Sequence, residues 1–147
     1  MALLSAVIEN SAGTGRLQPA VAHGLALSIP TTITAGISGG HMNPAVTLGV
    51  TVAGGLKLIM LFPYWAAQFC GAMLGAGFAR AVASLHESFV NVSGGAFDAI
   101  KADHQVGVAL LAEVIMTFFL VLSVCLSAVN RQSKTPLAPF CIGILGA

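Results

Sequence analysis

The chain reads as an all-α, polytopic membrane helix bundle that also holds a short re-entrant half-helix. Three observations carry that reading. First, its 147 residues are 56% hydrophobic and only 7% charged, against roughly 25% charged in an ordinary soluble domain. Mean hydropathy is +0.92, so there are too few polar side chains to cover a water-facing surface. Second, the apolar residues gather into runs of the length a helix needs, about 20 residues, to cross the hydrocarbon core of a bilayer. Third, between the first two runs lies a capped apolar segment too short to cross. A net charge of +1 with no basic run excludes an electrostatic nucleic-acid binder. The 17 glycines and 6 prolines speak against a plain Leu-rich bundle and for close helix packing or broken helices. Cys70, Cys125 and Cys141 all sit in apolar stretches, and an odd count makes no disulfide framework. No Cys/His pair stands at metal-ligand spacing, so neither a metal nor a cofactor is expected.

Taken in order, Met1 to Ile8 is apolar but too short to span, and it lacks the basic n-region of a signal peptide. It reads as the tail of a further helix. Leu17 to Ile37 is the first span, with His23 as its ionisable group. Leu58 to Val82 is the second, interrupted late by Arg80, and Val106 to Val129 is the third, carrying Glu113 alone. Leu137 to Ala147 begins a fourth and stops partway across. Residues 83–105 form a longer polar connection containing the sequon Asn91-Val92-Ser93, usable for glycosylation only on the lumenal side. Lys57, Arg131 and Lys134 fall on the opposite face, as the positive-inside bias requires. The whole chain, 1–147, is read as one partial transmembrane domain.

The segment from Ser38 to Gly55 is neither span nor solvated loop. Asn43 is an N-cap, Pro44 takes the first helical position, and Gly54-Gly55 ends the helix. A helix over 44–53 rises about 15 Å, half of a roughly 30 Å hydrocarbon core. Its side chains are too apolar for a cytosolic connector, so it is expected to dip into the membrane and return, packed in protein or lining a watery cavity. The positive end of this half-helix then lies near the membrane midplane with the Asn43 amide beside it. The preceding Gly39, Gly40, His41 and Met42 are Gly-rich enough to stay extended and turn carbonyls toward a pore. Carbonyl acceptors ending at an amide donor suit a polar neutral solute such as water, and the same positive field opposes cations, protons included.

The residues Ser38-Gly-Gly-His-Met-Asn-Pro-Ala-Val-Thr-Leu-Gly49 resemble the first Asn-Pro-Ala loop of the aquaporin, or major intrinsic protein, family. The runs Leu17 to Leu27, Leu61 to Gln68 and Pro136 to Phe140 resemble one branch of that family, so the likeness extends over essentially the whole chain. The resemblance implies a right-handed bundle of six spans in two inverted repeats, a homotetramer in the lipid bilayer with one pore per subunit, and passive conduction rather than enzyme chemistry. It also implies roles for single residues. Asn43, Pro44 and Ala45 match the first signature motif. His23 matches the second-helix position of the outer aromatic/arginine filter, and a histidine there resembles a branch associated with water, ammonia and hydrogen peroxide rather than glycerol. Glu113 matches a buried fourth-helix glutamate that supports the pore loops. A lone carboxyl inside a span must in any case be paired, hydrogen-bonded or protonated. His41 is read as loop support in preference to a titratable pore group, and Tyr64 and Trp65 as packing groups. Gly71-x-x-x-Gly75 with Gly77 is read as close packing within the protomer.

A faint internal repeat pairs Leu4-Ser-Ala-Val7 with Leu126-Ser-Ala-Val129 and Leu17-Gln-Pro19 with Leu137-Ala-Pro139. From Pro19 to Asn43 is 24 positions, and the same step from Pro139 runs past Ala147. The expectation is therefore a partial chain without the second Asn-Pro-Ala motif, the filter arginine, the sixth helix and most of the first. Its expected function is passive transport of water and small neutral solutes across a surface or internal membrane. The competing expectation is a non-conducting truncated isoform that associates with full-length subunits. On physical grounds alone a secondary transporter with broken helices also stands, with only His23 and Glu113 in the spans to hold a coupling ion.

Overall fold

A computed structural model of the chain describes residues 17–83 and 103–146. The Met1–Ile8 tail, with the Leu4–Val7 part of the faint repeat, and the Asn91 sequon lie outside those residues. The described chain is helical, with no strand among its residues. Its elements are α1 (Leu17–Ser38), α2 (Pro44–Val52), α3 (Leu61–Ala83) entered through a 3₁₀ turn at Leu58–Met60, α4 (Asp103–Val124) continuing into a π turn at Cys125–Val129, and α5 (Ala138–Leu145).

Three of these helices are long and apolar enough to cross a membrane: Ala20–Ser38, Leu58–Ala81 and Val106–Val129. Only 17%, 6% and 11% of those windows, respectively, are buried within the chain. Large apolar side chains stand open along them, Ile37 at 84% exposed and Met73 at 75%. So much contiguous apolar surface is untenable in water and is what a spanning helix offers lipid. The chain is a multi-pass membrane protein.

Three hydroxyls inside α1 are satisfied by the helix itself. Pro30 lies in its interior and has no N–H to give the preceding turn. Around it Ser28 Oγ donates to the Gly24 carbonyl at 2.8 Å, Thr32 Oγ1 to Ser28 at 2.8 Å and Thr34 Oγ1 to Pro30 at 2.7 Å. Back-bonding of this kind lets hydroxyls stand in an apolar medium without a tertiary partner.

α1 packs mainly on α5, where Gly24 and Gly143 are both buried at the crossing. α2 is wedged between α3 and α4, and its apolar face makes the centre of the core. Val46 and Val50 meet Leu120 and Val124 of α4 and Ile142 of α5. At Gly49 the two helices α2 and α4 approach closely, since a Cβ there would run into the Val121 side chain. Gly71, Gly75 and Gly77 were expected to pack within the protomer, yet a Cβ at any of them would meet nothing within 4 Å. The reason is local: α3 reaches α2 through Tyr64, Trp65 and Gln68 in its first two turns, and its glycines lie beyond that contact.

Candidate functional site

The site is built from the turn between α1 and α2. Gly39 and Gly40 take successive positive φ values, 81° and 68°, which reverse the chain out of α1. A Cβ on Gly40 would lie 2.9 Å from the Thr31 carbonyl oxygen, so both conformation and space demand glycine. The backbone then extends to Asn43 (φ −136°, ψ 131°), whose Oδ1 accepts from the Ala45 N–H at 2.8 Å. The Asn43 carbonyl accepts the Thr47 N–H at 3.0 Å and the Thr47 hydroxyl at 3.1 Å. Asn43 is thus an N-cap with Pro44 at the first helical position, where a missing N–H costs nothing. The far end closes on Ala53, and Gly54 at φ 79° turns the chain away.

α3 holds this turn in place with three side chains. Tyr64 OH donates to the Ser38 carbonyl at 2.6 Å, and Trp65 Nε1 donates to the Pro44 carbonyl at 3.1 Å. Gln68 Nε2 donates both to the His41 carbonyl at 2.6 Å and to Thr47 Oγ1 at 2.8 Å. The His41 and Tyr64 rings lie 5.4 Å apart, centroid to centroid. The packing role read for Tyr64 and Trp65 therefore understates them, and Gln68 was missed. A signal was available: three hydrogen-bond donors within eight residues of an apolar span must find acceptors, because lipid offers none.

Beside the turn lies a cavity of about 780 Å³. One wall is the polar strip Gly39, Gly40, His41, Met42 and Asn43, and the facing walls include Val46, Val50, Leu120, Val124 and Ile142. Thr31 and Thr32 of α1 border it, and Arg131 and Lys134 stand at the end near Gly54. Asn43 Oδ1 is used in the cap, while its Nδ2 donates to no described residue. Buried Thr31 Oγ1 and His41 Nδ1, on the same cavity, also have no protein partner, and neither does Gln68 Oε1 behind the turn. A buried polar atom left unpaired costs about 1–3 kcal/mol, so these positions call for water. A water occupies about 30 Å³ of liquid, which leaves the cavity room for a file of them.

Of the sequence-derived site residues, the structure brings Gly39, Gly40, His41, Met42 and Asn43 onto one cavity. Pro44 and Ala45 form the first turn of α2 just behind it. His23 is exposed and stands one helical turn before Leu27, the cavity's first lining residue on α1. Glu113 makes no hydrogen bond to the turn among the described residues. It is exposed, borders a second groove with Val114, Thr117, Phe118 and Val121, and bonds to no described residue. Seven residues of helix separate Glu113 from Leu120, where α4 meets α2, a rise of about 10 Å along the axis. Among the described residues the turn is held by α3, not by Glu113. No group of three His, Cys, Asp or Glu side chains gathers among them.

Residues 2–147 match the family model described as major intrinsic protein. The chain is 54% identical to aquaporin-8 of Rattus norvegicus over 137 residues, covering 93% of this chain and 52% of that protein. It shows the same 54% over 137 residues with aquaporin-8 of Mus musculus. It is 37% identical to aquaporin Z of Brucella melitensis over 134 residues, covering 89% of this chain and 58% of that one. The chain spans about half the length of the curated relatives it matches. No solved structure matches it. With the family model running along nearly every residue, through a capped half-helix buried among membrane spans, the chain belongs to the major intrinsic protein family.

Proposed function

We propose that the protein serves as a membrane channel for downhill passage of water and, at the width His23 sets, of other small neutral solutes such as ammonia and hydrogen peroxide. One observation carries the reading: the Asn43 cap leaves an unused amide donor at the end of a carbonyl-bearing strand, on a cavity inside a membrane protein. A solute moving along Gly39 to Met42 exchanges hydrogen bonds with acceptors, then meets the Asn43 Nδ2 donor. The N-terminus of α2 carries roughly half an elementary positive charge, which opposes cations and hydronium alike. The walls opposite, Val46, Val50 and Leu120, offer nothing to hold the solute, so it is not bound tightly enough to stop. No bond is made or broken, and no cofactor takes part. The names of the relatives, aquaporin-8 and aquaporin Z, support the same assignment. A homotetramer, each subunit with its own pore, would cover part of the apolar surface that α3 and α4 leave open.

Stopped-flow osmotic swelling of proteoliposomes tests this. Vesicles containing the folded chain should swell faster than empty ones, and an Asn43→Asp variant, which keeps the capping oxygen but loses the donor, should lose most of the gain. Swelling equal to empty vesicles, with helical content intact, refutes conduction by this chain. Proton-coupled uptake against a gradient would instead make it a transporter.

A further inference from the structure

The cavity beside the turn carries a single sulfur on its described wall. No cysteine and no second methionine borders it; Met42, between His41 and Asn43, is the exception. Both neighbours are pinned, the His41 carbonyl by the Gln68 amide and the Asn43 oxygen by its cap on α2. Met42 keeps 41% of its surface open and borders the cavity. The other described methionines are placed differently. Met73 and Met116 are more exposed, at 75% and 59%, but they stand well inside the spans Leu58–Ala81 and Val106–Val129, whose open faces meet lipid. Met60 lies in the turn that enters α3. Exposure of the bare chain therefore ranks Met73 and Met116 first, whereas access for a small polar solute along the cavity ranks Met42 first.

From this placement we infer that Met42 is an oxidation site, and that its oxidant is hydrogen peroxide admitted to the cavity. Unlike a thiol, a thioether has no proton to lose before it reacts. A lone pair on Met42 Sδ attacks one peroxide oxygen, the S–O bond forms and the O–O bond breaks. The proton on the transferred oxygen passes to the departing hydroxide, which leaves as water. Sulfur is oxidised to the sulfoxide, peroxide is reduced, and no other reactant is consumed. The product changes the wall, because a flexible apolar group becomes a polar one with a strong acceptor oxygen. Asn43 Nδ2, on the next residue, is a donor without a described partner and is the group a passing solute has to meet. The sulfoxide oxygen accepts from that amide and withdraws it from the solute. Asn43 Oδ1 stays in the cap, so the half-helix keeps its fold.

The effect on conduction rests on the channel reading; the place of the sulfur on the cavity does not. Proteoliposomes holding the full chain are treated with hydrogen peroxide and divided between peptide mass spectrometry and stopped-flow swelling. Added oxygen should accumulate at Met42 while Met73 and Met116 stay unmodified. Osmotic permeability should fall roughly fivefold as Met42 converts, the factor that one competing hydrogen bond is worth. A Met42→Leu variant should show no fall from its own untreated value. Absence of oxygen at Met42, or equal rates at Met73 and Met116, overturns the inference. Oxidised Met42 with unchanged permeability in conducting vesicles, or an equal fall in Met42→Leu, overturns its hold on conduction. Vesicles that conduct neither before nor after peroxide count against the channel reading, and the mapped oxygen alone then decides whether Met42 is the cavity's oxidation site.

Discussion

Gln68 is the side chain through which α3 grips the site, and its replacement by leucine has a calculable cost. The wild-type amide makes two bonds, to the His41 carbonyl at 2.6 Å and to Thr47 Oγ1 at 2.8 Å. Each such bond contributes about 1–1.5 kcal/mol net, and more where the abandoned acceptor stays buried. The two losses are not equal. Thr47 Oγ1 keeps its own bond to the Asn43 carbonyl, whereas the His41 carbonyl loses its side-chain donor. Leucine also removes Gln68 Oε1, a buried acceptor with no partner in the wild type, which returns part of the cost. The balance is a loss of about 2 kcal/mol, or roughly thirtyfold in the closed–open equilibrium of the turn. Hydrogen exchange of a peptide spanning residues 38–48 reads that equilibrium directly, through the Thr47 amide bonded to Asn43 O. Permeability per inserted chain should fall in parallel, because the His41 carbonyl is no longer held in one direction. Exchange within threefold of wild type would refute the reasoning: the turn would then be held by Gly40 packing and the Asn43 cap alone.

Other substitutions separate capping, packing and lining. Asn43→Ala should cost about 1 kcal/mol through the lost cap, seen as a lower unfolding midpoint, whereas Asn43→Asp keeps the cap and should lose permeability with little change in that midpoint. Gly49→Ala places a methyl against Val121 and should destabilise the α2–α4 contact by about 1–3 kcal/mol; Val121→Ala in the same chain should recover most of it, and failure of that rescue would locate the strain elsewhere. His23 is exposed, so His23→Ala should leave stability within about 0.5 kcal/mol, while the ratio of ammonia to water permeability changes if this residue lines the outer constriction.

How far the site could be read in advance follows from the range of the forces that make it. The start of α2 rests on contacts between neighbours: the Asn43 side chain to a backbone N–H two residues on, a proline at the first helical position, a glycine turn after Ala53. Local chemistry of this kind is legible in a string of residues. The four bonds from α3 join positions 21 to 27 residues apart, and no periodicity announces them. Only the general demand that donors in lipid be satisfied could have singled out Tyr64, Trp65 and Gln68. The end of α4 fell between these cases. Its apolar run continues to Val129, but the α-helix stops at Val124 and a π turn follows, drawn by the loop that returns to cap it. The role carried to Glu113 by resemblance depends on partners for its carboxyl, and the described residues supply it no hydrogen bond.

The distribution of burial says what holds the half-helix. In water, the exposed Ile37 and Met73 would be driven inward and the short α2 would be an unremarkable core helix. In lipid that drive is absent, since acyl chains are as apolar as leucine. Yet α2 supplies the most deeply buried residues described, Thr47 at 0% exposed and Val50 at 2%. Hydrophobicity cannot have chosen them over the equally apolar and open face of α3. What distinguishes α2 is its backbone: a nine-residue helix packed among membrane spans leaves unpaired N–H and C=O groups at its ends, which lipid cannot satisfy. The turn is therefore held where Tyr64, Trp65 and Gln68 supply donors and where Gly49 lets α4 approach. The same requirement leaves the Asn43 amide, Thr31 and His41 without protein partners on the cavity side. Backbone that must be packed on one face and wetted on the other gives both the anchor and the lining, so variants that loosen the α3 grip should disturb permeability before they unfold the bundle.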